Sequence, residues 1–181
     1  HRRYQDLGKA DHGWLKATHH FSFGSYYDPE HRGHGLLRVF NDDTIAPLMG
    51  FAPHPHHDME IITILLEGRL RHKDSLGNQY DIEKGEIQVM SAGTGITHSE
   101  FSSDPKNSTR LFQIWIHPQE KGVAARYEQT SYQTKIGDLT LLVGPKDSGS
   151  SLWIHQDAYL YKGSFHDGEK FRVSKKAKKD S

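Results

Sequence analysis

The chain has 181 residues, 14 histidines and no cysteine, and its 23 Lys and Arg residues are balanced by 23 Asp and Glu residues. The absence of cysteine excludes disulfide frameworks, thiolate zinc sites, iron–sulfur clusters and cysteine nucleophiles. The formal charge of zero argues against broad electrostatic attraction to nucleic acid or to an anionic membrane.

Short apolar runs separated by turn residues predict an all-β fold. Strand composition occurs at residues 36–40, 60–66, 69–73, 79–82, 86–90 and 110–116, and 60–66 (EIITILL) is apolar enough to be buried on both faces. We expect 60–66 and 69–73 to pair through Gly68, and the turn formers at 74–78 to connect a hairpin. Many short strands with regular turns indicate a sandwich or a barrel.

A composition change after residues 118–122 (PQEKG) divides the chain. Strand candidates resume at 139–143, 152–155 and 159–162. A segment of about 45 residues is near the lower limit for an independent core, so we expect it to pack on the first domain or on a partner chain. The predicted division is a metal-binding domain at residues 1–122, a partial second segment at 123–173 and a basic tail at 174–181.

The sequence predicts a cytoplasmic protein. No stretch approaches the ~18 apolar residues that span a bilayer, and residues 1–6 (HRRYQD) lack the apolar run of a signal peptide. The lysine-rich tail is expected to be solvated, with a contact to nucleic acid or an acidic partner as the alternative.

Two short histidine motifs predict a metal site. Residues two apart on a strand point to the same face, so His54 and His56 together offer two ring nitrogens. His98 and Glu100 have the same spacing and offer one imidazole and one carboxylate. If both strands line one barrel interior, these four side chains converge as ligands for a metal such as Fe, Ni, Cu or Zn.

Other residues compete for these roles. An HxH pair alone occurs equally well on a surface strand, and Glu60 is a rival carboxylate with the same strand parity as His56. Four residues of straight strand place Glu60 roughly 13 Å beyond His56, so a bend or bulge is needed before Glu60 can bind the same metal.

Gly93 and Gly95 are interpreted as a tight turn rather than a phosphate loop. No metal role is predicted for the remaining histidines, among them His57, His72, His117 and His155; a lid or loop role stays open for His19, His20, His31 and His34.

The motifs together resemble a known family. Residues 50–56 (GFAPHPH), Glu60 and Gly68 resemble the first cupin motif, and Gly85 with residues 91–100 (SAGTGITHSE) resembles the second. With residues 66–78 (LEGRLRHKDSLGN), the pattern is similar to the pirin family, and most similar to its bacterial pirin-like flavonol dioxygenases. Weaker similarity covers 12–14, 21–23, 38–43, 127–129 and 155–157.

The resemblance implies a fold and a ligand set. The family's iron ligands correspond here to His54, His56, His98 and Glu100, and pirins use this later glutamate where other cupins use the position of Glu60. The implied fold is a cupin-type β-barrel (double-stranded β-helix, or jelly roll). An incomplete second cupin-like segment follows it, because family members continue through a full second barrel.

The resemblance also implies an activity. We expect a metal-dependent dioxygenase that cleaves a flavonol such as quercetin (quercetin 2,3-dioxygenase activity) with release of CO, Glu100 acting as general base. The alternative is a non-enzymatic, iron-dependent redox-sensing regulator that binds a protein partner. The expected cofactor is one divalent metal ion, Fe(II) first, with Ni, Cu, Mn, Co or Zn as alternatives.

The expected partners are a small aromatic substrate and O2, with neither direct nucleic-acid binding nor a membrane. We also expect a homo-oligomer that covers the open part of the second barrel.

Overall fold

The computed structural model describes residues 2–169 and residue 171, and it confirms the all-β fold. A 3-10 turn at Tyr4–Asp6 precedes the strands, and the described residues contain no α-helix. The strands are β1 (Gly8–Asp11), β2 (Leu15–His19), β3 (Leu37–Ile45), β4 (Gly50–His56), β5 (Glu60–Glu67), β6 (Arg69–Asp74), β7 (Gln79–Glu83), β8 (Glu86–Ser91), β9 (Ile96–Ser102), β10 (Thr109–Ile116), β11 (Arg126–Ser131), β12 (Leu139–Pro145), β13 (Leu152–Ile154) and β14 (Leu160–Gly163). In this part of the chain no helix has the length and apolar character needed to cross a membrane.

Two sheets face each other and enclose the first core. The larger sheet has the order β1-β2-β3-β10-β5-β8-β11, and the smaller has the order β4-β9-β6-β7. Alternate side chains of each strand point into the space between them. One end of this space is apolar and is filled by a cluster of buried side chains: Leu15, Ala17, Ile45, Leu65, Leu70, Ile82 and Leu111. The polar residues described below occupy the next layer.

The predicted pairing of residues 60–66 with 69–73 is wrong, because β5 and β6 belong to different sheets. β5 pairs with β10 and β8, whereas β6 pairs with β7 and β9. Gly68, at φ +78°, turns the chain from one sheet to the other beside the backbone of Ser108 and Thr109. A Cβ would not fit there, and the positive φ suits glycine. The hairpin predicted at 74–78 does join β6 and β7.

The second segment packs on the outer face of the large sheet. β12, β13 and β14 form a three-stranded sheet. Leu142, Val143, Leu152 and Ile154 from it share one buried cluster with residues of β5, β8 and β10. β11, which lies beyond residue 122, instead joins the large sheet beside β8. The division into residues 1–122 and 123–173 stays a prediction, and the tail at 174–181 lies outside the described residues.

Candidate metal centre

Strands β4 and β9 bring three histidines together. His54 lies directly opposite His98 in the antiparallel register, and the pairing shifts between Phe51 and His54. The His54 and His98 ring centroids are 4.5 Å apart, and the His56 ring is 4.9 Å from each of them. Their ligand nitrogens all lie within 4.8 Å of one another. The two sequence motifs therefore meet through the pairing of β4 with β9.

The free nitrogens of these rings suit a metal ion. His54 Nδ1 lies 2.8 Å from the carbonyl oxygen of Ala52, which leaves its Nε2 available. His56 Nε2 and both ring nitrogens of His98 are buried without a hydrogen-bond partner among the described residues. Burial, helped by the neighbouring imidazoles, lowers the pKa of His56 to about 4 and that of His98 to about 3. The neutral rings carry the lone pairs that a divalent cation requires.

Glu100 lies beside this trio and is held by the facing sheet. Its side chain is only 2% exposed. Oε1 accepts a hydrogen bond from Nε2 of Gln88 at 2.7 Å, and Oε2 accepts one from Nε2 of Gln113 at 2.9 Å. Thr63 donates to Oε1 of Gln113 at 3.0 Å and so directs the Gln113 amide nitrogen toward Glu100. These contacts fix the orientation of the carboxylate.

The residues that hold Glu100 belong to a polar row that crosses the large sheet. Each member lies opposite the next in the strand register; the row is Gln129, Gln88, Thr63, Gln113, Asn41 and His19. Buried polar groups are stable when they are hydrogen-bonded to each other. Its glutamines were not predicted from the sequence, because a single polar residue in an apolar strand does not show which neighbour it will meet.

The structure places Glu100 in a second trio with His98 and His72. The ligand atoms of these three side chains also lie within 4.8 Å of one another, and all three residues are buried. His72, for which the sequence predicted no metal role, is fully buried and hydrogen-bonded to Asp74. The spacing of Leu70, His72 and Asp74 along β6 could have indicated that His72 is buried, because residues two apart share a face and all three face the interior.

The other candidate residues belong to neither trio. Glu60 is buried, but its carboxylate accepts a hydrogen bond from Ser91 at 2.8 Å and it belongs to neither trio. His57 is exposed and pairs with Asp58. His19 is buried and hydrogen-bonded to Asn41. Gly93 and Gly95 occupy a turn with positive φ values before β9, as expected.

Comparison with known proteins places the chain in a family. The family model described as Pirin matches residues 1–116, and the one described as "Quercetinase C-terminal cupin domain" matches residues 141–181. The chain belongs to the pirin family. Its predicted cupin fold is confirmed by the structural match reported next, although the two sheets do not close into a continuous ladder.

Named pirin relatives are similar over most of the chain. "Quercetin 2,3-dioxygenase" of Escherichia coli K12 is 47% identical over 161 residues, which are 89% of this chain and 69% of the relative. A "Pirin-like protein" of Caulobacter vibrioides is 48% identical over 171 residues, covering 92% and 72%. The crystal structure of the bacterial pirin YhhW of E. coli in complex with nickel(II) matches with a TM-score of 0.84 at 47% identity, covering 88% and 69%.

Proposed function

We propose that this pirin is a metal-dependent dioxygenase that cleaves a flavonol such as quercetin, and that His54, His56, His98 and Glu100 bind its metal. The observation that carries the proposal is the convergence of three imidazoles with a buried carboxylate beside them. His56 Nε2 and both nitrogens of His98 are buried without a hydrogen-bond partner among the described residues. Such an N/O donor set fits a divalent transition metal. The names of the relatives support the activity, and the nickel complex of YhhW supports a divalent ion.

The donor set favours Fe(II) as the physiological metal, because histidine and carboxylate ligands are typical of non-haem iron enzymes. Nickel is the alternative with direct support from a relative. When bound, the metal supplies a Lewis acid that attracts the flavonol 3-hydroxyl oxygen and eases its ionisation. Cu, Mn, Co and Zn are the remaining alternatives, because the same ligands can bind them too.

The chain's own residues prepare the site for proton transfer. Glu100 accepts the proton of the flavonol 3-hydroxyl, which requires its carboxylate to approach that oxygen within ~3 Å. Gln88 and Gln113 hold the carboxylate in place, so little freedom is lost when the substrate binds. The overall reaction consumes one flavonol and one O2 and yields one depside ester and one CO, which balances all atoms.

Aromatic side chains flank the histidines and suit a flat substrate. The Trp115 ring lies 4.9 Å from His56 in an edge-on arrangement, and Phe23 lies 5.3 Å from Trp115. The Phe51 ring lies 6.3 Å from His54. His54 and His56 are only partly buried, so a ligand can approach the centre at these residues. Aromatic faces and edges favour contacts with the rings of a flavonol.

The test is CO release from quercetin by protein loaded separately with Fe(II), Ni(II), Cu(II), Mn(II), Co(II) or Zn(II). We expect turnover with at least one metal and a loss of about 100-fold or more in Glu100→Gln, the range for a general base. Glu60→Gln is the matched control, since Glu60 is buried but lies outside both trios. A metal-loaded protein that never releases CO would refute the activity. If it then bound a protein partner only in one metal oxidation state, the redox-sensing alternative would stand instead.

Self-association stays a separate prediction. An apolar cavity of about 270 Å³ lies between the large sheet and the second segment, lined by residues that include Phe40, Ile114 and Tyr159. A second copy that covered such a surface would bury apolar area. Light scattering across a concentration series tests this, and a monomer at high concentration would contradict it.

A further inference from the structure

His72 has the position of an inner ligand. It lies on β6 directly opposite Glu100 on β9, and Asp74 lies opposite His98 in the same register. The pleat points His72, His98 and Glu100 into the space between the sheets. His72 is 0% exposed, and the His98 and Glu100 residues are each 2% exposed. The three side chains thus form a second donor group, beneath the partly exposed His54 and His56.

Asp74 selects which nitrogen of His72 is free. The Asp74 carboxylate accepts hydrogen bonds from the Asn78 side chain at 2.9 Å and from the backbone N–H groups of Leu76 and Asn78. Every one of these partners is a donor, so the carboxylate acts as an acceptor throughout. His72 Nε2, 2.9 Å from Asp74 Oδ2, therefore carries the proton and donates it. In the neutral ring Nδ1 then holds the lone pair.

This arrangement is the one that metal-binding histidines show. Such residues donate one ring N–H to a carboxylate or a carbonyl oxygen, which orients the other nitrogen toward the ion. His54 does so through the carbonyl oxygen of Ala52, and His72 does so through Asp74. Nδ1 of His72 is buried without a hydrogen-bond partner among the described residues. Tyr127 stacks on the ring at 4.1 Å and restrains it from turning.

We propose that His72, His98 and Glu100 form an inner position for a divalent transition metal, an alternative to the outer position at His54, His56, His98 and Glu100. Neither ring nitrogen of His98 has a hydrogen-bond partner in the described part of the chain, so this residue can serve either position. Because the two positions share His98 and Glu100 and two divalent charges this close repel each other, one ion occupies one position at a time. This inference depends on the proposed function in one respect only: it assumes that the outer metal position exists.

The experiment removes the outer ligands and measures binding of Co(II), whose visible absorption reports its ligands. We expect His54→Ala/His56→Ala to bind one Co(II) per chain, about 10- to 1,000-fold more weakly than the unmodified protein in a chelator competition. Addition of His72→Gln should weaken that residual binding by at least about 10-fold, and addition of Asp74→Asn should weaken it by about 10- to 100-fold, the usual range for the partner of a ligand. His57→Gln is the matched control, because His57 is exposed and outside both trios.

Each result is decisive. Residual Co(II) binding that depends on His72 but not on His57 supports the inner position. Absence of residual binding in a double variant that still unfolds cooperatively would overturn it, as would residual binding insensitive to His72→Gln, whatever the effect of Asp74→Asn. The proposed activity is read separately, as CO release by the unmodified protein. A chain that binds metal without turnover would refute the activity and leave the binding experiment fully interpretable.

Discussion

Gln113 on β10 donates its side-chain amide to Oε2 of Glu100 on β9 across 2.9 Å, from the opposite sheet. Gln88 holds the other carboxylate oxygen in the same way. The candidate base is thus oriented by two neutral donors on strands that contribute no ligand themselves. This relationship makes the facing sheet part of the candidate metal centre.

Gln113→Leu should weaken metal binding and turnover by about 10- to 100-fold each, because the partner that orients a ligand is removed while the side-chain volume is nearly kept. Chelator competition gives the metal affinity, and CO release gives the turnover. Gln129→Leu is the matched control: Gln129 belongs to the same polar row, but it contacts Tyr127 and Asp81 instead of Glu100. Equal losses in both variants would argue against a specific role for Gln113.

Asp43→Asn should stabilise the protein increasingly as the pH rises. Asp43 Oδ1 is buried without a partner among the described residues, and burial, with the charges of Glu100 and Asp42, raises the pKa of Asp43 to about 7. The stability from this raised pKa is complete below about pH 4 and is lost as the pH rises to 7, by up to ~1.4 kcal/mol per pH unit. The asparagine variant escapes this loss, so its advantage in urea unfolding should grow between pH 4 and 7 and then level off.

Asp42→Asn, at the adjacent position, should change the pH dependence of stability in the opposite direction. Asp42 is hydrogen-bonded to Arg110 at 2.8 and 2.9 Å and to Tyr4 at 3.0 Å, and although burial opposes it, these donors lower its pKa. Its contribution to stability is therefore present at neutral pH and lost on acidification through the lowered pKa. The Asp42 variant should be destabilised at pH 7, opposite to Asp43→Asn. If the stability of both variants changed with pH in the same direction, the opposite pKa shifts of Asp42 and Asp43 would be contradicted.

Gly50→Ala should destabilise the fold and weaken metal binding together. Gly50 lies opposite Phe101 where β4 enters its pairing with β9, and an added Cβ would overlap the Glu100 carbonyl oxygen and the Phe101 backbone. Because backbone atoms cannot move aside cheaply, we expect a cost of about 1–3 kcal/mol in the free energy of unfolding. Separation of the strands also moves His54 from His98. Ala52→Ser, at an exposed position of the same strand, should change neither measurement.

Leu142→Ala should destabilise the whole protein by about 2–5 kcal/mol if the second segment shares a core with the first sheet. Leu142 is fully buried in the cluster that includes Ile62 and Ile114. The measurement is chemical unfolding followed by the fluorescence of Trp115, which lies in β10, with Trp14 and Trp153 replaced by phenylalanine in every protein compared. Ile136→Ala, at a 65% exposed position, should cost little. A normal Trp115 transition in Leu142→Ala would show that the two parts unfold independently.

Local sequence patterns predicted most strand positions because apolar alternation and turn residues act over a few neighbours. Residues 60–66 and 110–116 were predicted as strands and correspond to β5 and β10. β11 was not predicted: its sequence, RYEQTS, is polar, and its place beside β8 depends on a distant partner. The predicted pairing of residues 60–66 with 69–73 across Gly68 was wrong for the same reason, because it too depended on distant partners. A short connection does not show whether the two strands that it joins pair with each other or belong to different sheets.

By itself, the sequence predicted the all-β class and the three candidate histidines, since strand parity puts His54 and His56 on one face and His98 has the same spacing to Glu100. The tertiary structure decided the rest of the centre. Register across β4, β9 and β6 brought His98 to His54 and His72 to Glu100, and the facing sheet supplied Gln113. These contacts join residues far apart in the chain, and they form only when two sheets pack at a fixed distance and register.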